Sequence, residues 1–272
     1  AQTDMPLGCL DLEGLHDAGP ADAALVAGQG VTVDMMGPAD EVAVGRLLWE
    51  NRAANRFVVG SQGTAYALVA YFRSRGWLPA AAPVSGLGRV ERMAVVSGSV
   101  SPTTADQIAW ACDNGFAGVA FDVLAACGDG LQAAEDAAVS AGLAALDAGQ
   151  VPLIYTARGP DDPAVAALRA VAGADLPAVN DRIGAALGRV LRALIERGGL
   201  GRAVVSGGDT SGHVCNALGI DALTAVAPTI AGAAICRAHA TGPMDGLHLA
   251  LKGGQMGSRD YFGWVRDGGG AR

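Results

Sequence analysis

The sequence has little of several features that mark particular classes of protein. Aromatic residues make up 5% and charged residues 17% of its 272 residues, while apolar residues reach 51%. This balance excludes an intrinsically disordered chain, because such chains are charged and poor in apolar side chains. No apolar run is long enough to cross a bilayer, so we expect no membrane partner.

Long basic runs and metal-binding spacings are also missing. The net charge is −8, and no Lys or Arg cluster suggests a nucleic-acid partner. The five cysteines include no C-x-x-C pair, and the four histidines show no H-x-x-x-H spacing, so we expect no structural zinc site. Scattered thiols are typical of a cytoplasmic protein, which is the predicted location. The sequence leaves a homo-oligomer open.

Glycine, in contrast, is abundant, with 40 residues. Three segments share the order strand, glycine- or serine-rich loop, helix. In the second segment, Ser101 is expected to cap a helix that starts with Pro102 and stops at Gly115. The predicted strands and loops of the three segments are Phe57–Val59 with Gly60–Gly63, Met93–Val96 with Ser97–Val100, and Ala203–Val205 with Ser206–Ser211.

Other segments predict an α/β fold with a mostly parallel sheet flanked by helices. Residues 117–122, 151–156 and 247–252 have the composition of buried strands. Apolar spacing predicts helices over 135–146 and 181–197. The Pro-, Gly- and Ala-rich stretch 78–91 is the predicted boundary between a first segment, residues 1–84, and a complete α/β domain, residues 85–272.

Loops of this kind can bind phosphate. Glycines let the backbone approach a ligand, and the unpaired N–H groups at a helix start attract anions. Asp209, which follows Gly207 and Gly208, could hold Mg²⁺ or accept a proton from an attacking hydroxyl, or it could simply cap the helix. Thr210 is a second candidate ligand for Mg²⁺.

Near the C-terminus, Lys252 ends an apolar run and is followed by Gly253 and Gly254. A lysine there could neutralise phosphate charge in a transition state, or could lie in solvent before a turn. No Walker motif is present, and the glycine spacing after residue 97 does not complete a dinucleotide fingerprint. A nicotinamide-dependent oxidoreductase is therefore a weaker alternative.

In combination, VVSGSVSPTTADQI, VVSGGDTSG and ALKGGQMGSRDYFG resemble the four-carbon acid sugar kinase family, and FVVGSQGTAYAL is similar to the family's sugar-acid domain. The resemblance runs from about Leu25 to Asp267. It implies two α/β domains, a small sugar acid as substrate, ATP and Mg²⁺ as cofactors, and transfer of phosphate to a hydroxyl of a four-carbon acid or its 3-oxo derivative.

The resemblance also implies roles for individual residues. Asp209 and Lys252 would be catalytic, Asp209 and Thr210 would hold the metal, and Ser61 and Gly63 would face the sugar acid. The residues expected around the nucleotide are Ser97, Gly98, Ser99, Gly207, Gly208, Asp209, Thr210, Ser211, Gly212, Lys252, Gly253 and Gly254.

One part of the family pattern has no counterpart here. Family members usually open with a strand and an acidic A-D-D-x-T-G-A-like motif, which this sequence lacks. We therefore expect residues 1–84 to be only the tail of the acid-binding domain. A nucleotide-binding fragment without catalytic activity is a further alternative.

Overall fold

A computed structural model describes residues 4, 6–17, 30–54, 56–80 and 84–271. The chain divides into two compact units, Ala1–Ala82 and Pro83–Arg272. Residues 81–83 of the predicted boundary stretch, and Leu25, where the resemblance begins, lie outside the described residues.

The first unit has a small α/β core. Two short parallel strands pack with helices around Leu10, Leu15, Val44, Leu47 and Ala67. The second and third helices pack closely because Gly45 has no side chain. Any side chain there would overlap the backbone of Ala67. The elements are β1 (Leu7–Leu10), α1 (Leu12–His16), β2 (Gly30–Val33), α2 (Pro38–Glu50) and α3 (Gln62–Ser74).

The strand predicted at Phe57–Val59 is not present. These residues have no regular secondary structure, and Phe57 and Val59 are 93% and 102% exposed. A strand needs a neighbour to pair with, and within the described residues of this unit only β1 and β2 pair. The helix expected after the loop Gly60–Gly63 is present, and it begins within that loop, at Gln62.

The second unit is built on a seven-stranded sheet in the order β4-β5-β3-β6-β9-β8-β7. Its strands are β3 (Ala94–Ser97), β4 (Phe116–Ala120), β5 (Val151–Tyr155), β6 (Arg202–Ser206), β7 (Ile220–Pro228), β8 (Ala234–Ala240) and β9 (His248–Lys252). Its helices are α4 (Pro102–Asp113), α5 (Leu131–Asp147), α6 (Pro163–Ala172), α7 (Leu176–Gly198), α8 (Gly208–Leu218) and α9 (Tyr261–Arg266), with short 3₁₀ turns at Leu124–Cys127 and Gly173–Asp175.

Five neighbouring strands, β4, β5, β3, β6 and β9, run parallel, and the α/β fold class is confirmed. The antiparallel strand β8 joins β9 to β7 at the edge. The two AVVS segments of the sequence are the adjacent strands β3 and β6, and they pair residue for residue from Ala94 with Ala203 to Ser97 with Ser206.

Helices cover both faces of the sheet, so β3 and β6 are buried throughout. Alternate residues of a strand point to opposite faces. Val96 accordingly belongs to the core formed with α5, α7 and α8, while Val95 belongs to the core formed with α4 and α9.

The second unit pairs its first residues with its last ones. Leu87 N–H donates to the Gly268 carbonyl at 2.9 Å, and Val90 N–H donates to the Arg266 carbonyl at 3.0 Å. The buried Arg202 of β6 donates from Nη1 to three carbonyls near this pairing, those of Gly88, Val265 and Arg266.

Among the described helices, none combines the length and the apolar character that a membrane span requires.

Candidate nucleotide-binding site

The strand order places a crevice between β3 and β6. After β3 the chain moves through β4 and β5 on one side of the sheet, and it then returns to add β6 on the other side. In open parallel sheets, ligands bind at such a switch point, outside the carboxyl ends of the strands.

Three strands end together at this point. Ser97, Ser206 and Lys252 are in register as the last residues of β3, β6 and β9. The loops that follow are tied to each other, because Gly98 N–H donates to the Ser206 carbonyl at 3.0 Å and Gly207 N–H donates to the Lys252 carbonyl at 2.9 Å. The amides of Gly98 and Gly207 are thus used within the protein and are not free to bind a phosphate.

Glycine is required where the loops meet. A side chain at Gly98 would overlap the Thr210 hydroxyl, and one at Gly254 would overlap the Ser99 hydroxyl. Gly207 has a φ of 126°, a conformation that favours glycine, and its missing Cβ would lie 2.8 Å from Thr210 Oγ1. The three glycines therefore allow an approach that no other residue permits.

The loop after β6 is shorter than predicted. Helix α8 begins at Gly208, so Asp209, Thr210 and Ser211 lie in its first turn. The first N–H groups of a helix have no partner within it, and they carry the positive end of the helix dipole. The amides of Gly208, Asp209 and Thr210 are therefore available to an anion.

A buried polar cluster supports the loops from below. Thr104 Oγ1 of α4 donates to the Gly254 carbonyl at 2.7 Å and lies 3.1 Å from Ser99 Oγ. Ser101 Oγ also donates to the Gly254 carbonyl at 2.7 Å. The loop after β9 is thereby fixed against the start of α4.

Lys252 belongs to this buried cluster. Its side chain is 2% exposed, and Nζ donates to the carbonyl of Gly253 at 3.0 Å, to that of Gly254 at 3.4 Å and to Thr104 Oγ1 at 3.3 Å. Burial lowers the pKa of Lys252 to about 8. The amine thus lies beneath the loops, and its direct contact with a phosphate stays a prediction.

The loops line one part of a cavity of about 780 Å³. Residues of α6 and α7 and of the segments after β4 and β5 line other parts of it. Of the residues predicted to surround a nucleotide, eight line the cavity: Gly98, Ser99, Gly207, Gly208, Asp209, Thr210, Gly253 and Gly254.

Four other predicted residues do not line the cavity. Ser97 and Lys252 are buried at their strand ends. Ser211 turns back into its helix, where its hydroxyl donates to the Gly207 carbonyl at 2.7 Å. Gly212 lies further along α8. Ser61 and Gly63, the candidate substrate residues, belong to the first unit, where Ser61 precedes α3, and their role stays a prediction.

Asp209 does not cap helix α8, and its role in metal binding stays a prediction. Gly207, and not Asp209, is the N-cap of α8, and the cap forms no side-chain hydrogen bond. In the described part of the chain, no group of three or more His, Cys, Asp and Glu residues could hold a metal alone. Mg²⁺ usually takes one or two carboxylates together with water and substrate phosphates, and a single carboxylate at the phosphate end fits that pattern.

The sequence interpretation missed the lining residues that lie outside the glycine loops. Thr156 follows β5 at the same sheet edge, and Arg169, Asp181 and His213 bring polar groups from three helices. Gly184, on α7, could have indicated this region in the sequence, because a glycine on an amphipathic helix often marks a place where another element packs closely against that helix. The His213 ring fills that space, 2.6 Å from where a Cβ of Gly184 would lie.

A parallel α/β unit whose glycine loops meet around one cavity at the switch point has the architecture of a nucleotide-binding domain. The family described as "Nucleotide-binding C-terminal domain" matches residues 94–262, which include all three loops. The chain belongs to the four-carbon acid sugar kinase family.

Individual relatives agree. The chain is 42% identical over 243 residues to a 3-oxo-isoapionate kinase of Paraburkholderia graminis, covering 88% of this chain and 52% of the relative. It is 31% identical to a 3-oxo-tetronate kinase of Methylobacterium radiotolerans, covering 98% of this chain and 61% of the relative. The chain thus spans between half and two thirds of the length of these relatives.

A solved structure shares the fold. A Salmonella typhimurium protein, described as a putative tRNA synthase, superposes with a TM-score of 0.67 at 24% identity, covering 97% of this chain and 60% of that chain.

Proposed function

We propose that this chain carries the nucleotide-binding part of an ATP-dependent kinase that phosphorylates a hydroxyl of a four-carbon-type sugar acid or its 3-oxo derivative. The observation that carries the proposal is the convergence of three glycine loops, after β3, β6 and β9, on one cavity at the switch point. The names of the relatives, two 3-oxo sugar-acid kinases, support the substrate class.

In-line phosphoryl transfer needs positioning and electrostatic stabilisation more than covalent chemistry. The free amides at the start of α8 would bind phosphate oxygens, with Ser99 and Thr210 contributing hydroxyls. Among the described residues that line the cavity, Arg169 is the only lysine or arginine. Side-chain cations therefore supply little of the charge that a polyphosphate needs.

Mg²⁺ fits this requirement. When bound, it would supply positive charge to the phosphates. Asp209 would hold it, because its carboxylate lines the cavity beside the free amides of α8. Lys252 would add its positive charge from beneath the loops.

The test has two stages. Calorimetric titration of the chain with ATP, with and without Mg²⁺, should show saturable binding that strengthens with the metal. No binding at millimolar ATP would overturn the proposal. Phosphoryl transfer to a panel of tetronates and their 3-oxo derivatives then tests the substrate class.

A second candidate is a nucleotide-binding unit without turnover. The observation that favours it is that the chain matches 52% of its Paraburkholderia relative. ATP binding without phosphorylation of any acid would select this candidate. A homo-oligomer and a cytoplasmic location stay predictions.

A further inference from the structure

The cavity lining outside the glycine loops has an apolar and a polar part. Its apolar part consists of six side chains. The side chains that form it come from the segment after β4 and from α6 and α7: Val123, Ala164, Val165, Leu168, Leu176 and Ile183.

The polar part includes a pair of side chains from neighbouring helices. Asp181 of α7 and His213 of α8 both line the cavity, and His213 Nε2 lies 3.2 Å from Asp181 Oδ1. The imidazole reaches this position because Gly184, three residues after Asp181 on the same helix face, has no side chain.

The pair lies close to the phosphate-binding end. Helices α7 and α8 advance side by side in the same direction, since Gly184 meets His213 and Gly188 meets Val214 and Ala217. Asp181 comes one turn before Gly184, so it lies beside the first turn of α8. A carboxylate there repels polyphosphate, and because its side chain is 72% exposed it is open to a ligand group that donates hydrogen bonds.

We propose that Asp181, held by His213, accepts hydrogen bonds from the ribose hydroxyls of the nucleotide and makes the site selective for ribonucleotides over deoxyribonucleotides. This inference rests on the proposed function. Carboxylates bind ribose hydroxyls in other open α/β sheets, where the sugar likewise lies between an apolar base pocket and a phosphate loop. His213 is a positioning residue, because it acts through the carboxylate.

The experiment compares the dissociation constants of ATP, 2′-deoxy-ATP and 3′-deoxy-ATP for the wild-type chain and for Asp181→Ala. We expect the wild type to bind ATP about tenfold more tightly than at least one deoxynucleotide, the usual effect of one hydrogen bond to a charged group. In Asp181→Ala, the ratio of the dissociation constants of the deoxynucleotide and ATP should fall close to one, while the variant still binds all three ligands.

The control is Asp136→Ala, which removes an exposed carboxylate of α5 that does not line the cavity and should keep the wild-type ratio. His213→Ala should lower the ratio, and His213→Gln, whose amide N–H can still reach the carboxylate, should restore part of it. Equal affinity of the wild type for all three ligands, or an equal loss for all three in Asp181→Ala, would overturn the inference. Failure of the wild type to bind ATP at all would instead overturn the proposed function.

Discussion

Lys252 Nζ lies 3.3 Å from Thr104 Oγ1, and this contact joins the end of β9 to helix α4. The same amine donates to the carbonyls of Gly253 and Gly254. A lysine that binds its own loop in this way has a structural task.

Replacement of Lys252 should therefore weaken the binding of a nucleotide whether or not that nucleotide carries a γ-phosphate. In Lys252→Met the two glycine carbonyls lose a buried donor, which costs about 1–3 kcal/mol of stability and loosens the loop. We expect the affinities for ADP and ATP, measured by calorimetry, to fall by similar factors. A loss confined to ATP would show direct contact with the γ-phosphate.

The low pKa of Lys252 predicts a pH effect on stability. Desolvation lowers it from 10.5 to about 8 in the folded protein. Burial of the charged amine lowers the free energy of unfolding, and this loss is complete at pH values below the pKa of the folded protein. The loss disappears as the pH rises toward the pKa of the unfolded chain, because in that range the unfolded chain binds more protons than the folded protein.

The free energy of unfolding of the wild type, relative to Lys252→Met, should thus rise between about pH 7 and about pH 9.5. Urea denaturation at the two pH values measures this difference. Nucleotide affinity of the wild type should fall over the same range, as the positive charge beneath the loops is lost. A constant difference in stability between the two proteins would show that the lysine keeps its ordinary pKa.

The glycine contacts predict which substitutions the site tolerates. Gly98→Ala should displace the Thr210 side chain in the first turn of α8 and strongly weaken ATP binding. A second change in the same protein, Thr210→Ala, should recover part of the thermal stability. The control is Gly212→Ala, in the same helix, where a Cβ meets nothing within 4 Å. That change should stabilise the protein by up to about 1 kcal/mol, because it removes a glycine from a helix interior.

Asp209 should determine the response to Mg²⁺. Asp209→Asn retains the shape of the side chain and removes its charge, so the gain in ATP affinity on adding Mg²⁺ should fall at least about tenfold. Binding of ATP without metal should be unchanged or slightly tighter, since a repulsive charge is gone. Wild-type metal dependence in this variant would exclude Asp209 as the ligand.

Arg202 offers a prediction on stability alone. In Arg202→Met three backbone carbonyls lose their shared donor. We expect a loss of about 2–4 kcal/mol, reduced because burial of the guanidinium is itself unfavourable. Thermal denaturation measures the loss. ATP affinity at low temperature should be unchanged, because Arg202 does not line the cavity.

The sequence predicts the parallel part of the sheet well, because buried strands followed by glycine loops leave a strong local pattern. It predicts neither the antiparallel strands β7 and β8 nor helix α6. It wrongly predicts a strand at Phe57–Val59, whose apolar residues have no strand to pair with among the residues that the structure describes. Local patterns do not show which strands meet.

The same limit applies to the site. Gly98 and Gly207 are correctly expected in the loops, yet their amides bond to neighbouring strand ends, which follows only from the register. Lys252 is correctly expected at a strand end, but its burial depends on α4 and α9 covering that end. Asp181 and His213 come from separate helices, and only the packing of α7 on α8 brings them together.

The pairing of Leu87 with Gly268 means that the second unit begins and finishes at the same place on its surface. Such a unit can have its ends joined by a short flexible linker and be reopened elsewhere, for example at the exposed turn at Gly149 between α5 and β5. A circular permutant of this kind would carry all three glycine loops intact and would make the unit a portable module for insertion into other proteins.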